Sequence, residues 1–217
     1  MATYAELKQD VINLVNRNDC TDALAGTFIN QAQRKMSRTL RIPSLEKKLT
    51  VTAGTTTAAV YDSTEGEITI PSDFLEIVYI YNDKSVLQRV PLRTFIELDS
   101  KVSATGTPKY YTRIQNKFAL KPVPSTGKIV NLIYYADPED LSADSDTNSM
   151  SLISPDVLVY GALIYACDYF NDNRKAIFEA TYNSLYADLV ALVEATDQAA
   201  ADTSVQPSFS FNEDLLN

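Results

Sequence analysis

Histidine and tryptophan are absent from the 217 residues, and there are only two cysteines and six glycines. Without histidine the chain lacks the commonest general base, the usual zinc ligand and one member of every serine or cysteine triad. Cys20 and Cys167 have no motif spacing and make no disulfide framework in a chain this long. They read as structural thiols of a protein made in a reducing cytoplasm. The glycines form no phosphate cradle: Gly54, before three threonines, and Gly106, before Thr107-Pro108, are single-glycine turns rather than a nucleotide-binding loop. No stretch approaches the roughly 18 uninterrupted apolar residues of a membrane span. The opening MATYAELKQDV also lacks the basic-then-apolar order of a signal peptide. A soluble protein without membrane association, cofactor or metal is the expectation.

What is present belongs to a folded protein. Hydrophobic residues make up 45% and charged residues 22%, and a single core of this length buries about 70% of the unfolded surface. The net charge of −9 is unevenly placed: +3 over residues 1–50, −4 over 51–150 and −8 over 151–217. A strongly acidic last third disfavours a tight nucleic-acid grip, which needs a basic stripe to displace counterions. It suits a surface past which a polyanion slides without sticking.

Thr3 and Glu6 have capping-box spacing, and Leu7, Val11 and Leu14 follow at helical intervals, so a helix is predicted from Tyr4 to Asn16. Asp22 is the expected cap of a second, striped by Leu24, Phe28, Ile29, Ala32 and Met36 and ending before Pro43. From Leu45 the composition turns to Thr, Val, Ile and Tyr with frequent turn residues, which predicts sheet. The expected strands are 48–53, 58–62, 74–81, 86–90, 109–114, 118–120 and 128–135, with Asn82-Asp83 turning a hairpin between the third and fourth. A helical turn or two is expected at 92–98. Residues 138–151, PEDLSADSDTNSMS, are polar, acidic and aperiodic, and read as a surface loop. Ser154 and Pro155 then open an all-round apolar helix, VLVYGALIYAC, to be buried by its own domain or by a neighbouring subunit. The longest helix runs from Asn173 to about Ala199, with a heptad-type seam at Phe178, Tyr182, Leu185, Leu189 and Leu192. The predicted class is α+β: a helical bundle of two N-terminal and two C-terminal helices (1–44 and 152–201), an inserted antiparallel β domain (45–137), an acidic loop (138–151) and an extended C-terminal tail (202–217).

Strand 74–81 is apolar on both faces, with Phe74, Val78 and Ile80 on one and Leu75, Ile77, Tyr79 and Tyr81 on the other. Its cover is the domain's own helices or a second subunit. Asp168, Asp172 and Glu179 are the carboxylates considered for catalysis, with Asp168 a buried acid or a helix-end ion-pair partner. The acidic loop resembles a calcium loop only loosely, lacking its central glycine and terminal glutamate. Lys47, Lys48, Lys117, Lys121 and Lys128 lie among tyrosines on predicted strands, a pattern of single-strand binding platforms and, more often, of strand formers and interface anchors.

Three blocks carry a resemblance: IPSDFLEIVYIYND, then GTPKYYTRIQNKFALKPVPSTGKIVNLIYYADPEDLS, then SPDVLVYGALIYACDYFNDNRKAIFEATYNSLYADL. In that order, over residues 4–195, the chain resembles the head-to-tail adaptor, or connector, proteins of tailed bacteriophages. The matching positions are Pro71, Asp73, Phe74, Leu75, Tyr111, Phe118, Pro122 and Pro124 in the β domain, and Pro155, Tyr160, Gly161 and Ala162 in the buried helix. The resemblance implies a structural, non-enzymatic protein of the virion neck, assembled in the host cytoplasm as a ring of twelve copies beneath the portal protein. Genome DNA passes through its centre, without specific binding, during packaging and ejection, and the opposite side receives a tail nozzle or stopper protein. In similar adaptors the C-terminal segment reaches up to the portal; here that segment departs from the resemblance, and Phe209, Phe211, Leu215 and Leu216 are expected to order on docking against the portal or a neighbouring adaptor. The competing readings are a tail-tube or nozzle component and a carboxylate-dependent glycan hydrolase. The hydrolase would need two carboxylates about 5–9 Å apart in an aromatic-lined cleft, and no such pair stands out here.

Overall fold

In the computed structural model, which describes residues 2–83, 85–100 and 103–200, Thr3 opens the first helix with a complete capping box. The Glu6 amide donates to the Thr3 hydroxyl at 3.3 Å and the Thr3 amide to the Glu6 carboxylate at 2.8 Å. Helix α1 (Tyr4–Val15) ends at Asn16 in the left-handed region, φ 53°, a conformation that asparagine tolerates. Helix α2 (Asp22–Thr39) is capped by Thr21 rather than Asp22; the Thr21 hydroxyl accepts from the Leu24 amide and Asp22 becomes the first helical residue. Its carboxylate then sits where the helix dipole favours negative charge. A 3-10 turn at Pro43–Leu45 leads into the sheets.

The strands are β1 (Glu46–Thr52), β2 (Tyr61–Asp62), β3 (Glu67–Thr69), β4 (Phe74–Asn82), β5 (Gln88–Arg89), β6 (Thr105–Gly106), β7 (Tyr110–Ile114), β8 (Lys117–Lys121), β9 (Val123–Pro124) and β10 (Ile129–Ala136), with helix α3 (Leu92–Glu97) between β5 and β6. They form sheets ordered β1-β10-β4 and β2-β3-β8-β7-β5 and a small β6-β9 pair. The inner faces of the two larger sheets share one core around Ile68, Ile80, Phe118, Leu120, Val130 and Leu132.

Three expectations for this region change. The strand expected at 58–62 shrinks to Tyr61–Asp62. The hairpin at Asn82-Asp83 closes only one bridge, Tyr81 with Val86. Beyond it the Gln88 and Val90 amides donate to Lys109 and Tyr111 carbonyls, so β5 joins β7 in parallel and the insertion is mixed rather than purely antiparallel. Third, the faces of β4 differ from strict alternation. Register shifts against β10 fall between its partners Ile77 and Tyr79 and between Phe74 and Glu76. Each extra residue rotates the strand, so Phe74, Ile77 and Ile80 all turn to the core, and Ile77 joins the face opposite to the one expected.

Helices α4 (Ser149–Ile153), α5 (Pro155–Phe170) and α6 (Lys175–Ala200) complete the chain's described part. The acidic segment 138–151 is therefore not all loop: Asn148 and Ser151 exchange two capping hydrogen bonds and start α4, placing Met150 in the helical core. Helix α5 touches α1, α2 and α6, so most of its apolar surface is covered within the chain, while Tyr169 stays 62% exposed. A Cβ on Gly161 would lie 3.0 Å from the Ala32 Cβ and 3.2 Å from the Tyr182 ring, so glycine lets α2 and α6 approach α5 closely. The α6 seam holds Phe178, Tyr182, Leu185 and Leu189 against this core, while Leu192 is 65% exposed.

Arg41 ties the two cores together. Its guanidinium donates to the Ser37 and Leu40 carbonyls on the helical side and to the Glu76 carboxylate at 2.8 Å on β4, and it lies over the Tyr135 ring.

Candidate interaction surfaces

Proline 71 leads the chain to Asp73, whose carboxylate accepts from Lys47 at 2.8 Å and from the Tyr134 hydroxyl at 3.0 Å. The Asp73 carbonyl accepts from the Asp137 amide, so one residue fastens the start of β4 to β1, to β10 and to the first residue after β10. Burial pushes the Asp73 carboxyl up, but the Lys47 and Tyr134 hydrogen bonds outweigh it and hold the group below its usual value. Burial, reinforced by Asp73, pushes the Tyr134 phenol up to about 12. Phe74 packs between Phe118 and Tyr134 with ring centroids 5.6 and 5.7 Å away, and Tyr111 meets Phe118 edge-on. Pro122 is buried, whereas Leu75 lies half-buried outside that core. In the helices, Pro155 is the first residue of α5, Tyr160 meets Phe178, and Ala162 is fully buried.

The motif residues are thus brought together in two architectural groups, one around Asp73 and one around Gly161, and Asp73 also lines an open pocket of ≈ 440 Å³ with Arg34, Asp137, Glu139 and Asp140. Phe209, Phe211, Leu215 and Leu216 lie outside the described residues. Asp168 is no buried acid: it is exposed and paired with Lys175 at 2.7 Å. Asp172 is held down to about 2 by the hydrogen bonds of Arg174. Glu179 is exposed. Lys47, Lys117 and Lys121 are engaged by Asp73, Glu67 and Asp99, and Lys48 lies over the Tyr81 ring, which leaves little of a cationic platform on the strands. Among the described residues no cluster of three metal-ligating side chains occurs and no helix is long and apolar enough to cross a membrane.

Segment 138–148 is pinned rather than free. Asn148 donates to the Gln33 side-chain carbonyl at 2.7 Å and to the Glu139 carbonyl at 2.8 Å, both from a buried position. Gln33 in turn donates to the Pro138 and Glu139 carbonyls. Asp144 accepts from Lys8 at 2.7 Å while its own carbonyl accepts from the Ala5 amide. The segment therefore seals the α1/α2 side of the bundle. The Asn148-x-x-Ser151 spacing is legible as a cap, but Gln33 carries no such signal, since nothing in a helix stripe marks a glutamine as buried.

Exposed apolar side chains occur on several elements, including Leu92 and Ile96 on α3 and Leu152 and Ile153 on α4, and two further regions form a sheet face and a groove. One is the outer face of the β1-β10-β4 sheet, where Tyr79 and Ile129 are 41% and 37% exposed and the Tyr79 and Tyr81 rings lie 5.9 Å apart. The other is an open groove of ≈ 490 Å³ between α1 and α5, floored by Val159 and Tyr160, walled by Leu14 and Pro155 and rimmed by Asp10 and Asp156. Interfaces are built from such aromatic and aliphatic patches with polar rims.

No curated protein matches the chain. The family model described as SU10 adaptor protein matches residues 2–207, nearly all of the sequence, so the docking faces and the packed motif residues belong to a structural component of a phage virion. The chain is a member of the SU10 adaptor protein family.

Proposed function

We propose that this protein is the head-to-tail adaptor of a tailed phage: a non-enzymatic ring, of twelve copies, at the virion neck. The observation that carries the reading is the family match over residues 2–207. It is supported by motif residues that serve rigid packing around Asp73 and Gly161. In this reading the helical part, 1–44 with 152–201, forms the body of the ring. The β insertion, 45–137, faces the tail nozzle or stopper protein, and the tail, 202–217, docks on the portal through Phe209, Phe211, Leu215 and Leu216. The −8 charge of residues 151–217 keeps the duplex sliding through the channel, where a basic lining would trap it.

The test is to mix purified protein with portal rings and image the mixture by electron microscopy, beside portal alone and a variant ending at Asp202. A second ring on the portal's narrow end that the truncated form fails to add is the expected result. If full-length protein adds no ring to bare portal but adds to portal already carrying another adaptor, the protein is a nozzle component instead. A truncated form that binds as well as the full chain removes the tail from the docking mechanism.

A further inference from the structure

A ring built by rotation joins two unlike surfaces of the same chain, lying on opposite sides of it. The helical part has such a pair. Helices α2 and α5 form its middle: α1 packs on one side against both. On the other side α6 packs on α5 and reaches α2 through Tyr182 and through Tyr186, whose hydroxyl is 2.8 Å from that of Thr39. The α1/α5 groove and the α2/α6 ridge consequently face opposite ways. The α1/α2 side is sealed by 138–148, so it is not available to a neighbour.

The two faces also carry opposite charge. Among the described residues, Asp10 and Asp156 on the groove rim make no ion pair, and Arg38 on the ridge makes none either. Lys35, one turn before Arg38, has its ammonium 5.0 Å over the Tyr182 ring and, among the described residues, makes no ion pair with a carboxylate. Acidic loop residues take up Arg34 and Lys8 instead, which leaves Lys35 and Arg38 as the exposed positive pair of the ridge.

We infer that neighbouring copies join by seating the α2/α6 ridge, with Lys35, Arg38 and Tyr186, in the α1/α5 groove of the next copy, opposite Asp10 and Asp156. The apolar floor of Val159 and Tyr160 takes the body of Tyr186, while the rim charges fix the direction in which copies add. This inference rests on the ring reading above and specifies its contact. Rim charge pairs act chiefly on encounter and register and weaken with salt.

The experiment compares wild type, K35E/R38E, D10K/D156K and their equimolar mixture for ring addition to portal, scored by electron microscopy, with thermal melting to check folding. Arg93→Glu, a charge change on α3 far from both faces, is the control. Each double variant alone should need at least about tenfold more protein to add a ring, as expected for two reversed rim charges. The mixture should recover wild-type addition, because alternating copies match reversed ridge to reversed groove and native ridge to native groove. Folded variants that add rings like wild type, or a mixture no better than its components, would overturn these faces while the ring reading stands. A wild type that adds no ring overturns the ring reading itself and the inference with it.

Discussion

The helical core of this protein holds more buried side chains than the β core, and the two are specified differently. In the helices the buried apolar residues recur three and four positions apart, and one close contact depends on a glycine, Gly161, against Ala32 and Tyr182. In the sheets the buried set depends on partners far along the chain: Ile80 lies opposite Leu132, and two bulges decide that Ile77 faces inward. Which helical residues face inward is set by local periodicity, whereas strand faces depend on pairing register with distant partners. The joint at Arg41 and the fastening at Asp73 make one body of the two.

The largest effect expected from breaking this comparison is in the sheets. Phe118→Ala removes a ring that contacts both Phe74 and Tyr111 and should cost about 3–5 kcal/mol. Gly161→Val should cost about 1–3 kcal/mol by overpacking the α2–α5–α6 junction. Chemical denaturation measures both. Hydrogen exchange sharpens the contrast: if the joint makes one cooperative unit, Phe118→Ala lowers protection in α2 and α5 as well as in β7 and β8. Loss confined to the strands would mean that the two cores open separately.

The difference in specification also decides what could be read in advance. Helices α1, α2, α5 and α6 were legible to within a residue or two because capping residues and apolar stripes are local signals. The Asp22 cap was displaced by one position because Thr21 and Asp22 are both good caps and only the bond to Leu24 separates them. Among the strands, Phe74–Asn82 and Ile129–Ala136 were legible from their length. The parallel partner of Gln88–Arg89 and the bulges in β4 were not, since neither is encoded in period-two alternation. The motif positions around Asp73 and Gly161 were found through family resemblance, while the groove and ridge appear only when non-adjacent helices are brought side by side.

A comparable effect tests the segment that closes the α1/α2 side of the helices. Asn148→Asp keeps the oxygen that caps α4 but replaces the amide that donates to Gln33 and Glu139 with a second oxygen facing two acceptors. Losing these buried donors should cost about 2–3 kcal/mol and expose 138–148 to proteolysis. Asn148→Ala loses the cap as well, so it should be at least as destabilising. Equal resistance of wild type and Asn148→Asp to limited digestion would show that the Gln33, Arg34 and Lys8 contacts hold the segment without the Asn148 amide.

The smallest expected effect distinguishes the regions by pH. Asp73 fastens the sheets and Asp172 the helices, the latter through Arg174, which also donates to the Leu14 and Val15 carbonyls at 3.2 and 2.8 Å. Both carboxyls are held below their ordinary value of 3.8, Asp172 at about 2. A carboxyl whose folded pKa is depressed stabilises the fold above its unfolded pKa, and that contribution fades as pH falls through the folded value. Acid should therefore erode stability from 3.8 down to about 2 for the Asp172 share, and over a window beginning at the same upper limit for Asp73. Asp172→Asn should remove the deeper part of that acid limb, and Asp73→Asn the part arising in the sheets, each while lowering stability at neutral pH. An acid limb unchanged in both variants would mean that neither carboxylate governs it, and that the acid sensitivity lies in the exposed pairs instead.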